Sequence, residues 1–262
     1  MTDDTPTVEA DRGPGHDPLR VRRLPDPEHV ADVVADELVE LLREVQKDGR
    51  VPVVVLTGGS ISRKVHAAIA SHPERRHVDW GGVELWWGDE RFLPAHDHER
   101  NATQAWEDML AALPLDRARV HEVAGSDQAV DVTVAAKQYA DDLGSSFQGR
   151  LPAEPWFDVL MLGIGPDGHC ASLFPGHPEV RAEGLALPVQ DSPKPPSERV
   201  TFAMDVLGSA RQVWFVATGE DKADAVARSV AGGDVDETPS AGPRGREATT
   251  WFVDEAAGSA LP

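Results

Sequence analysis

The chain has 262 residues, 40% of them hydrophobic, which is enough to bury a sizeable core. Its formal net charge of −20 argues against binding to nucleic acid or to an anionic membrane surface, because both need clustered Lys and Arg side chains. A single cysteine, Cys170, excludes an intramolecular disulfide and a cysteine-based zinc site, so we expect a cytoplasmic protein. No segment approaches the roughly 20 consecutive apolar residues that cross a bilayer.

Residues 1–18 are rich in Asp, Pro, Gly and Thr and contain no apolar core, which is typical of a disordered tail rather than of a signal peptide. From Leu19 onward, apolar runs of strand length alternate with segments of helical spacing. This alternation predicts an α/β fold, so we expect residues 19–262 to form a single domain around a mostly parallel sheet with flanking helices.

The first strand–turn–helix unit begins after a segment of helical spacing over residues 30–45. A continuous apolar run, Val51–Leu56, predicts a buried strand, and residues 65–69 predict the next helix. Between them lies the turn Thr57-Gly58-Gly59-Ser60, whose backbone N–H groups could bind a phosphate at the helix N-terminus. The alternative is an ordinary turn with Ser60 as the N-cap. No Gly-Lys-Ser/Thr follows, which argues against a Walker A loop and ATP chemistry.

The second unit is a predicted strand, Val83–Trp87, followed by a loop with two carboxylates and Arg91. Arg91 could bind a phosphate while a carboxylate such as that of Asp89 positions a hydroxyl; the alternative is a surface ion pair. His96 and His98 lie close by, but their spacing does not match a zinc motif, so we expect no metal ion.

The third unit is a predicted strand, Phe157–Leu162, followed by a Gly-x-Gly-x-x-Gly loop over residues 163–168. A dinucleotide site is rejected because the loop lies in mid-chain, Pro166 interrupts it and no acidic ribose ligand follows at the expected distance. We therefore expect no cofactor. His169 follows the loop beside Asp167 and is a candidate general base; the alternative is a structural histidine.

Loops that leave the carboxyl ends of parallel strands gather at one edge of the sheet, so we expect these three loops to share a pocket. No Gly-x-Ser-x-Gly motif occurs and Cys170 has no evident activating partner, so water is the expected nucleophile. Further strands are predicted at residues 199–204, 212–218 and 249–253, with a helix at 221–230 and a proline-rich surface loop at 192–196.

Several stretches between Arg22 and Ala257 resemble the glucosamine-6-phosphate isomerase/6-phosphogluconolactonase family. They are Leu56–Ser60, Trp87–Arg91 with Pro94 and Asn101, Leu162–Gly176, Ser192–Pro196 with Arg199–Thr201, Gly219 with Lys222 and Ala223, and Thr250–Phe252. The resemblance implies a doubly wound sheet, similar to that of glucosamine-6-phosphate deaminase and ribose-5-phosphate isomerase, that binds a sugar phosphate.

The resemblance also implies an activity, the hydrolysis of 6-phospho-D-glucono-1,5-lactone to 6-phosphogluconate in the oxidative pentose phosphate pathway. His169 resembles the family's catalytic base, and we expect Asp167 to orient it. The residues expected to contact the substrate are Thr57, Gly58, Gly59, Ser60, Asp89, Arg91, Asn101, Gly165, Gly168, Lys194, Arg199 and Lys222. Which of Lys194 and Arg199 closes on the substrate stays open at this point, as does the role of Asp89.

Two alternatives remain, a deaminase and a non-catalytic sugar-phosphate-binding protein. The deaminase carries a glutamate five residues after the histidine, where this chain has Phe174, and a phenyl ring cannot transfer protons. A binding protein would keep the phosphate turn and lack the base. Arg100 departs from the family pattern, which usually has Ser before the matched Asn101. We expect no partner beyond the substrate, in a monomer or small homo-oligomer.

Overall fold

The computed structural model describes the backbone of Thr7–Ala10 and, in full, residues 19–147 and 155–262. Its main sheet contains β1 (Thr7–Ala10), β2 (Leu19–Leu24), β3 (Val53–Leu56), β4 (Glu84–Trp87), β6 (Phe157–Leu162), β9 (Ala210–Ala217) and β10 (Ala248–Asp254). A second sheet contains β5 (Asp89–Arg91), β7 (Ala186–Val189) and β8 (Arg199–Phe202). The helices are α1 (Pro27–Lys47), α2 (Ser60–Ser71), α3 (Asn101–Asp108), α4 (Val132–Ser146), α5 (Met204–Leu207) and α6 (Ala223–Val230).

The strand order in the main sheet is β1-β2-β10-β9-β6-β3-β4, and every neighbouring pair except β1 with β2 runs parallel. Successive side chains of a strand point to opposite faces, so each face has its own core. Val54 and Leu56 of β3 pack in the cluster that includes α1, α2 and α3. Val53 and Val55 pack in the cluster that includes α4 and α6. Helices on both faces of a mostly parallel sheet confirm the predicted doubly wound fold.

Some elements differ from the sequence-based expectations. Residues 199–204 were expected to form one strand, but β8 ends at Phe202 and pairs antiparallel with β5 and β7 in the second sheet, and α5 begins at Met204. Thr7–Ala10, expected in a disordered tail, pairs antiparallel with β2. The edge of a sheet binds an added strand through backbone hydrogen bonds, so the side chains of that strand need not be apolar. The rest of that tail, residues 1–6 and 11–18, lies outside the described residues.

Helix α2 buries a histidine directly behind the first glycine turn. His66 is 2% exposed and its Nδ1 has no hydrogen-bond partner among the described residues. It lies with Thr57, Met161 and Val216 around a small cavity. Burial lowers the pKa of His66 to about 4, because the protonated ring would lose its hydration without gaining a partner.

Among the described helices, none is long and apolar enough to cross a membrane.

The buried imidazole of His66 makes the stability of the fold depend on pH. Between pH 6.5 and pH 4 the unfolded chain binds a proton that the folded chain does not, so the free energy of unfolding falls as the pH falls. At pH 5 this loss amounts to about 2 kcal/mol. We expect His66→Leu to remove it, which urea titrations at pH 7 and pH 5 would measure.

The matched control for this experiment is His98→Leu, because the His98 side chain is 85% exposed. The control should lose as much stability between pH 7 and pH 5 as the unsubstituted chain does. An equal loss in the His66→Leu variant would contradict the assignment.

Candidate active site

A cleft of about 260 Å³ opens at the carboxyl edge of the main sheet, where the loops after β3, β4, β6 and β9 meet. This volume lies near the lower end of the range for small-molecule sites. It is lined by Thr57, Gly58, Gly59, Ser60, Ile61, Asp89, Arg91, Asn101, Gly163, Ile164, Gly165, Pro166, His169, Ala171, Lys194, Arg199, Val216, Ala217, Thr218 and Lys222. The structure thus brings together every residue expected to contact the substrate except Gly168, along with His169.

The turn after β3 leaves the N-terminus of α2 open toward the cleft. Gly59, at a φ of +104°, is the N-cap, and no side chain caps the helix. The alternative interpretation, Ser60 as a capping residue, is therefore wrong, since Ser60 is the first residue of the helix. Gly58 must be a glycine because a Cβ there would lie 1.8 Å from Oδ1 of Asn101. Uncapped N–H groups at the positive end of a helix dipole suit an anion.

The loop after β9 repeats the order of strand, glycine and helix. Lys222 occupies the N-cap position of α6 without a capping hydrogen bond from its side chain. It lines the cleft, and its Nζ lies 2.8 Å from Oδ2 of Asp221. Thr218 lines the cleft beside it and was missed from the sequence. Its position at the end of the predicted strand 212–218, directly before Gly219, was the signal that could have identified it.

Asp89 is buried at the start of β5 with its carboxylate at the cleft. Oδ2 accepts a hydrogen bond of 2.7 Å from the hydroxyl of Ser172, and the backbone oxygen accepts one of 3.0 Å from Nδ2 of Asn101. Oδ1 of Asn101 is buried without a partner among the described residues. Ser172 was not singled out in the sequence, although it lies three residues after His169 in the matched stretch.

Glu90 and Arg100 explain how Asn101 reaches this position. Both side chains are 1% exposed, and Nε of Arg100 lies 3.6 Å from Oε2 of Glu90. The carboxylate of Glu90 accepts the N–H groups of Arg91, Asn101 and Ala102 at 2.7 to 2.8 Å, and so caps the N-terminus of α3. Burial raises the pKa of Glu90, against the charge of Arg100 and these three donors, which lower it. Arg100, the departure from the family pattern, is thus part of this buried pair.

His169 lies at the third loop with its ring packed between a glycine and a phenyl ring. Its Nδ1 is 2.5 Å from Oδ1 of Asp167, and its ring centroid is 4.7 Å from that of Phe174. A Cβ on Gly165 would lie 2.0 Å from Nδ1, so only glycine leaves room for the imidazole. Burial would raise the pKa of Asp167, but the hydrogen bond and charge of His169, with the charge of Lys194, hold it well below its usual range.

Lys194 of the proline-rich loop and Arg199 at the start of β8 have different partners. Arg199 is 5% exposed and donates through Nε and Nη2 to the backbone oxygens of Lys194, Pro195 and Pro196. Nζ of Lys194 lies 3.1 Å from Nδ1 of His169 and 3.3 Å from Oδ2 of Asp167. Arg199 therefore holds the loop, whereas Lys194 contacts the His169–Asp167 pair.

The remaining candidates lie at the margins of the cleft or behind it. Nη1 of Arg91 donates to the backbone oxygen of Glu99, while its Nε is buried with no partner in the described part of the chain. Gly168 lies behind the loop with a φ of +91°, and its backbone oxygen accepts two hydrogen bonds from Ser240, at 2.9 and 3.0 Å. Burial raises the pKa of the Cys170 thiol, which disfavours the thiolate that a nucleophile needs.

The arrangement combines an anion site with an acid–base pair in one cleft. The N-terminal residues of α2 and Lys222 line one part, and His169, which is bonded to Asp167, lines another. Such a site can hold a phosphate at one end of a small molecule while a base acts at the other.

The comparisons with known proteins agree on the family. The family described as glucosamine-6-phosphate isomerases/6-phosphogluconolactonase matches residues 25–251. A 6-phosphogluconolactonase of Streptomyces coelicolor is 46% identical over 241 residues, which cover 90% of this chain and 92% of that protein. The 6-phosphogluconolactonase of Homo sapiens is 38% identical over 79% of each chain.

Solved structures share the fold at lower identity. A 6-phosphogluconolactonase from Thermotoga maritima aligns with a TM-score of 0.77 at 23% identity, covering 90% of this chain and 99% of that one. A monomeric glucosamine-6-phosphate deaminase aligns with a TM-score of 0.75 at 16% identity, covering 92% and 99%. Because these sequence matches extend over most of the chain, the chain belongs to the glucosamine-6-phosphate isomerase/6-phosphogluconolactonase family.

Proposed function

We propose that this chain hydrolyses 6-phospho-D-glucono-1,5-lactone to 6-phospho-D-gluconate, with His169 as the general base. The observation that carries the proposal is the His169–Asp167 pair, held at 2.5 Å in a cleft that also contains an uncapped helix N-terminus. The 46% identity to the Streptomyces coelicolor 6-phosphogluconolactonase supports the same substrate.

The phosphate end of the substrate binds at the N-terminus of α2. Gly58, Gly59 and Ser60 present backbone N–H groups there, and Lys222 adds a positive charge from the loop after β9. Binding energy from this remote group positions the lactone carbonyl against water near His169, at the other part of the cleft.

The hydrolysis then needs one group that accepts a proton from water and one positive or hydrogen-bonding group that stabilises the oxyanion. Asp167 accepts the Nδ1–H of His169, which leaves the lone pair of Nε2 to take a proton from water. The oxygen of that water bonds to the lactone carbonyl carbon, and the positive charge of the Arg91 guanidinium, a residue of the cleft lining, stabilises the tetrahedral oxyanion. When the carbon to ring-oxygen bond breaks, the imidazolium returns its proton to that oxygen, and the new carboxylic acid ionises.

Phe174 argues against the deaminase alternative. The phenyl ring is 0% exposed and lies under His169, at the position where the deaminase carries its glutamate. No carboxyl group can therefore assist ring opening from that position. Since the candidate base is present beside the phosphate turn, a purely binding role is also disfavoured. A phosphorylated lactone is the only partner the proposal needs, and a cytoplasmic location suits the single cysteine.

The proposed activity is tested by generating the lactone in place with glucose-6-phosphate dehydrogenase and following release of 6-phosphogluconate with and without EDTA. We expect the purified chain to accelerate hydrolysis above the spontaneous rate, equally with and without the chelator. No acceleration, or turnover of glucosamine 6-phosphate instead, would contradict the proposal.

Replacing the base should remove turnover without removing binding. We expect His169→Asn to lower kcat by a factor on the order of 10²–10⁴, the usual contribution of a general base. Binding of 6-phosphogluconate, measured by calorimetry, should persist because the phosphate groups remain. The matched control is His177→Asn, since His177 also packs against Phe174, with its ring centroid 5.8 Å from that of the phenyl. A similar loss in the control would remove the case for His169.

A methyl group on Gly165 should displace the base. Gly165→Ala would place a carbon 2.0 Å from Nδ1 of His169, so the ring must leave Asp167. We expect kcat to fall nearly as far as in His169→Asn, with a similar Tm. Gly176→Ala is the control, because a Cβ there meets nothing within 4 Å and only its positive φ, +72°, is strained. Normal turnover in Gly165→Ala would show that the close fit is not required.

A further inference from the structure

We infer that Lys194 is a positioning residue whose ammonium charge keeps His169 unprotonated and ready to accept a proton. This inference rests on the lactone hydrolysis proposed above and adds a third member to the His169–Asp167 pair. The family resemblance implies for Lys194 only a contact with the substrate, and neither it nor the similar proteins assign Lys194 this role.

The three side chains form a closed triangle of polar atoms. Nζ of Lys194 lies 3.1 Å from Nδ1 of His169, and 3.4 Å and 3.3 Å from Oδ1 and Oδ2 of Asp167. Nδ1 and Oδ1 are 2.5 Å apart on the third side. The imidazole is 17% exposed, so the charges act on it through a partly desolvated environment.

The geometry decides which proton arrangement Lys194 favours. Nδ1 has one site in the ring plane, and at 2.5 Å Asp167 takes its proton. The ammonium of Lys194 has three donors and no acceptor, so beside an Nδ1–H it bonds the carboxylate and acts on the ring only through its charge. A positive charge near the ring opposes the second proton that would occupy Nε2. The charge of Lys194 therefore favours the neutral imidazole, whose Nε2 lone pair can accept a proton.

The same charge serves the second half of the reaction. Once His169 has taken a proton from water, the imidazolium faces Lys194 at 3.1 Å. Repulsion between these two cations makes the imidazolium a stronger acid toward the departing ring oxygen. Lys194 thus favours the return of the proton as well as the initial neutral state.

Other charged groups of the cleft are placed differently relative to His169. Arg199 lies over Phe174, with its Cζ 5.7 Å from the centroid of that ring. Asp89 is bonded to Ser172, Arg91 to the backbone oxygen of Glu99, and Lys222 to Asp221. Lys194 is in direct polar contact with the His169 ring, its Nζ lying 3.1 Å from Nδ1.

The loop that carries Lys194 is built to hold it there. The backbone oxygen of Lys194 accepts from Nη2 of Arg199 at 3.1 Å and from the hydroxyl of Ser192 at 2.8 Å. The buried guanidinium of Arg199 also binds the oxygens of Pro195 and Pro196. The backbone position of Lys194 is therefore fixed, while its side chain remains 40% exposed at the mouth of the cleft.

The test compares the pH profile of kcat/KM in Lys194→Met, Lys194→Arg and Lys222→Met, with released acid followed by pH-stat and the spontaneous rate subtracted. Lys194→Met should move the acid limb of the profile to higher pH by about one unit, because the opposing charge is gone. Lys194→Arg should leave the limb within a few tenths of a unit, since the charge is kept. Lys222→Met should raise KM without moving the limb.

A second measurement reads the same charge without turnover. Imidazole ¹⁵N resonances followed against pH in the unliganded chain and in Lys194→Met should show the His169 transition displaced in the same direction. An acid limb and a ¹⁵N transition unmoved by Lys194→Met would overturn the inference, as would an equal shift in Lys194→Arg. Failure of lactone hydrolysis in the unsubstituted chain would instead remove the proposed function and leave the ¹⁵N result to decide the role of Lys194.

Discussion

The buried carboxylate of Glu90 organises the side of the cleft on which the rest of the site depends. Taking a carboxylate out of water costs several kcal/mol unless its oxygens are bonded, and here three backbone N–H groups and the guanidinium of Arg100 take the place of water. These bonds join β5 to the start of α3. Asn101 therefore reaches both Asp89 and the glycine turn after β3, and the loops that follow two different strands meet at one point.

Charge in this protein is strongly local. The chain carries a net charge of −20, yet Arg91, Lys194, Arg199 and Lys222 all line the one cleft. The carboxylates next to them are engaged, Asp89 with Ser172, Asp167 with His169 and Lys194, and Asp221 with Lys222. A small anion is thus drawn by a few close donors, while larger polyanions meet a repelling surface.

The sequence predicted the parts of the fold that depend on neighbouring residues. β3, β4 and β6 with their glycine turns were identified because buried parallel strands are short apolar runs, and the carboxyl-edge rule then placed His169 and the glycine turn together. Helix α4 was overlooked although Val132, Ala135, Tyr139 and Leu143 have helical spacing. Helix α3 lacked a capping signal next to it in the sequence, since its cap is the side chain of Glu90 from a separate segment.

The second sheet and the division of work between the two cations could not be predicted from local pattern. β5 and β8 are far apart in the chain, and their pairing depends on the tertiary fold. An arginine in a matched motif has the same sequence signal whether its guanidinium binds a phosphate or three backbone oxygens. Only coordinates distinguish Arg199, which holds the loop, from Lys194, which contacts His169.

The position of β10 has a consequence for how the protein is made. This strand, the last in the chain, lies between β2 and β9 and is the parallel partner of both. During synthesis the loop with His169 emerges from the ribosome before β10, the strand that joins β1 and β2 to the rest of the sheet. The β1–β2 part of the sheet can therefore join the rest only after β10 has left the ribosome.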